Sequence, residues 1–146
     1  MIEKVQESHL YMWLKEKDSK FLSKLDETIE YANTILPQIN NVFASYTVHG
    51  VRHSINVMEY MYALVVDINK LSELEVALLI YSSLLHDIGM IANVDEIKEI
   101  KADHAILGER KYSKVLEKYG DEMTALQECV RPVHGKRARD YIETKM

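Results

Sequence analysis

The stretch SELEVALLIYSSLLHDIGM, residues 72–90, decides the fold. Ser72 and Glu75 have the spacing of a capping box, in which each side chain accepts a hydrogen bond from the other residue's backbone N–H. The run from Val76 to Leu85 is apolar nearly all round, which predicts a helix buried at the centre of a bundle. It is too short to span a bilayer and is interrupted by Ser82 and Ser83. His86 and Asp87 close the run, and Gly89 is suited to stop the helix in a left-handed conformation.

Working outward, helical spacing recurs on both sides. Leu10, Trp13 and Leu14 predict a packing helix over about 5–17, and a second runs over about 19–36 to end at Pro37. Asn40 and Asn41 mark a loop. A third helix follows Thr47 and Gly50 to about Ile68, with Val51, Ile55, Met58, Tyr62 and Val65 as its apolar stripe, widened by Val57, Met61, Leu64 and Ile68. Beyond the central helix, the polar segment 92–101 predicts a loop, and residues 104–119 a helix closed by Gly120. Asp121 caps another helix ending near Pro132, and Lys136, Arg137 and Arg139 open a last short one. No alternating β-branched segment is flanked by turn residues, so the expected class is all-α. One domain over 1–146 is expected, with packing helices in 1–40 and the core that carries the site in 41–146.

Composition narrows the function. Hydrophobic residues make up 47% and charged residues 28% of the 146, an ordinary globular balance. A net charge of -5 argues against a domain that binds nucleic-acid polymers by broad phosphate neutralisation, whereas a small phosphorylated substrate drawn to a metal stays compatible. The one cysteine, Cys129, has no internal disulfide partner, and the start MIEKVQESHL lacks the apolar core of a signal peptide. A cytoplasmic location without membrane association is expected.

Five of the six histidines, His49, His53, His86, His104 and His134, with Asp87 beside His86, supply the donors of a metal centre. Imidazole nitrogen with carboxylate oxygen suits first-row ions that activate water: manganese, iron, zinc, cobalt or nickel. A His–Asp pair ending the most apolar helix would be costly to bury unless an ion offset the desolvation; the plain alternative is an exposed helix end. His49 and His53, four residues apart, share a helix face, so one can bind metal while the other acts as acid or base; equally, His49 can cap the helix and His53 fill the core. His104, preceded by Asp103 as a cap, and His134, in a turn beyond Pro132, each read alone as ordinary surface or core histidines.

Taken together, HSINV at 53–57, LLHDIGM at 84–90, HAILG at 104–108 and HG at 134–135 resemble the HD-domain superfamily of metal-dependent phosphohydrolases, over about residues 46–135. The resemblance implies a helical bundle that holds two divalent ions: His53, His86 and Asp87 at the first, His104 and His134 at the second, with Asp87 bridging. It implies hydrolysis of a phosphoester by metal-activated water, the substrate being a nucleotide or a small cyclic or linear phosphodiester. Helical cyclic-nucleotide phosphodiesterases, which resemble this superfamily, have a histidine four residues before the first metal-binding histidine that protonates the leaving oxygen. That matches His49, although Gly50 stands where an asparagine follows there. The GYP signature of the cyclic-di-GMP branch is absent. The family's closing aspartate has no clear match; Asp140 is a poor substitute, and the missing ligand is expected in a segment after Met146 of a longer chain. Lys136 and Arg137 are candidates for holding phosphate, or form a solvated basic face. A regulatory HD module that binds metal and nucleotide without turnover, and a helical interaction domain that keeps the polar site only as structure, are the other readings; under any of them the surface around Trp13 and Phe21 can serve a partner or homodimer, or those aromatics are core.

Overall fold

The computed structural model describes residues 2–44 and 50–145, with the side chains of 4–44 and 50–144. The described residues are helical, with a single isolated bridge, Leu107 to Arg110, and no named strand. They form two compact units, residues 1–37 with 48–86 and residues 38–47 with 87–146. The boundary falls on the His86–Asp87 peptide bond.

In the first unit, α1 (Ile2–Gln6) and α2 (His9–Glu16) replace the expected single helix. Ser8 breaks it, accepting from the Tyr11 N–H as the cap of α2. Next come α3 (Leu22–Ile35), α5 (Val51–Leu64) and α6 (Glu73–Leu85). The capping box of α6 is present as read: the Ser72 hydroxyl accepts from the Glu75 N–H, and the Glu75 carboxylate accepts from the Ser72 N–H. Leu10, Leu14, Leu25, Ile29, Met58, Ile80 and Leu84 are fully buried, and α6 packs against α2, α3 and α5. Burial on all sides of α6 is not observed, because Leu74 and Leu78 are each 52% exposed. Helix α5 stops at Leu64, four residues short of the expected Ile68, with Leu64 itself exposed.

Polar groups register these helices. The Tyr11 hydroxyl donates to Asp26 Oδ1 at 2.7 Å and the Gln6 amide donates to the same oxygen at 2.9 Å. Burial, then this bond, pushes the Tyr11 hydroxyl up to about 12. His9, outside the candidate set, pairs with Glu59 at 2.5 Å and stacks on Tyr62. Trp13 and Phe21 are half-buried and lie under Lys17 and Lys20 respectively, and the Trp13 indole donates to Asn69.

The second unit contains α4 (Asn40–Phe43), which occupies the expected Asn40–Asn41 loop, then α7 (Val94–Lys101), α8 (Tyr112–Tyr119), α9 (Glu122–Val130) and α10 (His134–Lys145). Here two expectations are reversed. The segment 92–101 is mostly helix, started by Asn93, whose side chain accepts from the Glu96 N–H. The segment 102–111 is loop, because Asp103 (φ 59°) and Gly108 (φ 66°) turn the chain in left-handed conformations. Asp103 therefore does not cap a helix at His104. It accepts from the Ser113 N–H instead, and its bonds to Ser113 hold its carboxyl below the usual range. Gly120 (φ 70°) and the Asp121 cap stand as read. Helix α10 begins at His134, two residues before the expected basic start.

Gly89 does a different job from the one its position suggests. It lies in a 3-10 turn, Ile88–Met90, without positive φ, and a Cβ there would collide with the His134 carbonyl and come within 2.6 Å of the Ala138 nitrogen. Glycine is needed because α10 crosses this turn backbone against backbone. Arg137 then fastens the crossing. Its Nε donates to the Gly89 carbonyl at 2.8 Å, and its two terminal nitrogens donate to the Ile91 carbonyl and to Glu96 Oε1, at 2.5 and 2.6 Å.

Candidate metal centre

His53 leaves the first turn of α5 and His86 follows the last residue of α6. The two helices pack together, and this brings the imidazoles together, tilted by 49° with Nε2 to Nε2 at 3.2 Å. The His86 Nδ1 lies 3.0 Å from the Ser83 carbonyl, one turn back on its own helix. A carbonyl can only accept, so this bond puts a proton on Nδ1, and in that tautomer Nε2 has the lone pair that a metal would take. Backbone orientation of a ligating imidazole through its other nitrogen is the usual support of a metal-binding histidine.

Asp87 is joined to His86 by one peptide bond, and His53, His86 and Asp87 each offer a donor atom within 4.8 Å of the others. Two nitrogens on one ion at about 2.0–2.1 Å are roughly 3.3–3.4 Å apart when the angle at the ion is near tetrahedral, close to the 3.2 Å seen here. The imidazole separation and the nitrogen–oxygen donor set therefore both fit a divalent transition metal. The cost of burial is not what points to an ion, however. His86 is exposed and His53 and Asp87 are half-buried, so the desolvation argument drawn from the apolar run does not apply.

His49 is outside the described residues. Among the described residues, neither His104 nor His134 enters a group of three donors with the spacing of the His53–His86–Asp87 set. His104 is an exposed loop residue, its Nδ1 at 3.2 Å from Glu99. His134 opens α10 with Nδ1 2.6 Å from the Arg131 carbonyl, the same bond to the residue three before that His86 makes to Ser83. The loop carrying His104 and the turn before His134 touch at Gly108, where a Cβ would lie 3.1 Å from Val133.

Within the second unit a cavity of about 450 Å³ is bordered by Gly89, Glu96, Leu107, Lys136, Arg137 and Asp140. Lys136 is exposed beside it, while Arg137 is occupied by its three acceptors and is a structural clamp. Asp140 is exposed and paired with Arg139 at 3.2 Å.

Residues 43–146 match the HD-CE family, more than two thirds of the chain. The chain belongs to the HD-CE family. No curated protein matches it, and no solved structure does. The HD-CE match covers α5 and α6 with both histidines and Asp87, along with the whole of the second unit from residue 87 onward. What is established for this HD-CE chain is an HD-like helical domain with, among the described residues, one group that could hold a metal ion. No single helix among the described residues is long and apolar enough to cross a membrane.

Proposed function

We propose that this chain is a metal-dependent phosphohydrolase acting on a phosphoester of a nucleotide or of a small cyclic or linear phosphodiester. The observation that carries the reading is the opposed His53–His86 pair, with Asp87 next in the chain and the His86 tautomer set by the Ser83 carbonyl. These three residues would hold the ion. A divalent ion in that place supplies a Lewis acid for a phosphoryl oxygen and lowers the pKa of water. The chain's own contribution is orientation: Ser83 holds the ring of His86, and the exposure of His86 leaves the group open to a substrate from solvent. His104 and His134 as ligands of a second ion, and His49 as the acid that protonates the leaving oxygen, belong to the same proposal.

The test is twofold. Metal content is measured after incubation with manganese, iron or zinc and desalting, for the wild type and for His53→Ala, His86→Ala and Asp87→Ala. Hydrolysis of bis(p-nitrophenyl) phosphate is followed on the same samples. Metal retention and turnover, both lost in the three variants, support the enzyme. Retention without turnover of the model diester or of a panel of nucleotides favours a regulatory module.

A further inference from the structure

The central helix α6 is apolar on nearly every side, yet its described packing partners, α2, α3 and α5, leave one side open. The open side is the stripe Leu74, Leu78, Ser82 and His86, each residue one turn beyond the last and all four exposed. On α5 the matching stripe is His53, Val57, Tyr60 and Leu64, where Tyr60 is 71% and Leu64 82% exposed. The two helices run antiparallel: His53 meets His86 at one end, and Met61 receives a contact from the Ser83 hydroxyl further along. The two stripes thus lie side by side on one surface of the first unit, and Val66, fully exposed, extends it past the end of α5.

We infer that this α5–α6 face is the contact between two copies of the chain. Apart from His53 and His86 at one end, neither stripe carries an acidic or basic residue, so identical surfaces can meet across a two-fold axis with little like-charge repulsion. Tyr60, Leu64, Val66, Leu74 and Leu78 together expose on the order of 600 Å², at the top of the range for an uncovered patch on a monomer. Doubled, this is about 1,200 Å² of buried surface, above the roughly 1,000 Å² that separates a specific interface from a chance contact. Two helices meeting two helices would enclose Leu74 and Leu78 in a four-helix layer, the environment for which an all-apolar α6 is suited. The inference does not depend on the metal reading: the residues counted, Tyr60, Leu64, Val66, Leu74 and Leu78, lie toward the opposite end of the stripes from His53 and His86, so the contact leaves those two histidines outside it.

Sedimentation velocity of the full chain from low to high micromolar concentration tests it, alongside Leu64→Glu, Leu78→Glu and the double variant. Met123→Glu, an exposed apolar position on α9 in the second unit, is the control. The wild type and the control are expected to shift from monomer to dimer over this range. Each single variant should weaken the dimer at least about tenfold, and the double variant should stay monomeric with unchanged helical circular dichroism. A wild type that remains monomeric throughout overturns the inference and leaves the face to a different partner. A dimer indifferent to the double substitution overturns it too, by moving the interface elsewhere.

Discussion

A methyl group on Gly89 would fall on the carbonyl oxygen of His134, so the turn after Asp87 and the first turn of α10 touch backbone to backbone. The contact gives a structural reason for the glycine in the HDIG sequence of this chain: space for a crossing helix, with no demand for a left-handed conformation.

Gly89→Ala is therefore expected to destabilise the fold by at least about 2 kcal/mol, because the obstruction is main chain and cannot rotate away. Thermal melting of the variant measures this. A melting temperature equal to that of the wild type would show that α10 does not sit against the turn.

Arg137 should tolerate little. Arg137→Ala strands two carbonyls and the half-buried Glu96 carboxylate, at a cost of about 2–4 kcal/mol. Arg137→Lys recovers only part of this, since an ammonium cannot reproduce the planar fork. Urea titration of the pair separates charge from geometry: equal losses in both variants would make geometry dominant, and full rescue by lysine would contradict the three-acceptor clamp.

Tyr11 sets an alkaline limit. Below about pH 10 the folded and unfolded chains both keep its proton, so the group contributes no pH dependence. As pH rises from about 10 to 12 the unfolded chain releases the proton while the folded chain holds it. Stability then falls with pH, by at most about 1.4 kcal/mol per unit for this one group. Tyr11→Phe should make the decline shallower while costing about 1–2 kcal/mol at neutral pH through loss of the Asp26 bond. Tyr81 and Tyr112, also pushed up by burial, maintain part of the slope. Melting temperatures across this pH window for both proteins provide the comparison.

Metal addition should stabilise the chain if His53, His86 and Asp87 hold an ion. At a free concentration a hundred times the dissociation constant the gain is about 2.7 kcal/mol. His86→Ala should abolish the gain in melting temperature, whereas His9→Ala, a histidine engaged with Glu59 and Tyr62, should leave it intact. A gain of equal size in His86→Ala would place the ion elsewhere.

The features legible in the sequence are the ones governed by nearest-neighbour chemistry. The Ser72–Glu75 box, the Gly120 stop and the Asp121 cap are each fixed within four residues, and each is found where the residues place it. The exchange of helix and loop over 92–111 had a local signal too: Asn93 and Glu96 have cap spacing, but few apolar residues follow, and only Ile100 is buried. Asp103 was deceptive because its acceptor serves Ser113, ten residues away. The exposure of His86 could not be read at all. A run of apolar residues tells that a helix seeks cover but not which of its sides three neighbouring helices will reach. The meeting of His53 and His86 likewise depends on how α5 and α6 pair, for which the sequence offered only a family resemblance.

The Arg137 clamp also bears on how the chain acquires its structure. Gly89 and Arg137 are 48 residues apart, so the bond between them closes a long loop whose entropy must be met before the contact gives anything back. Non-local contacts of this kind form late and slow folding. On the ribosome the turn carrying Asp87 emerges well before the helix that latches it, and spends that interval without its clamp. Substitutions at Gly89 or Arg137 therefore threaten the yield of folded protein during synthesis as much as the stability of the finished molecule.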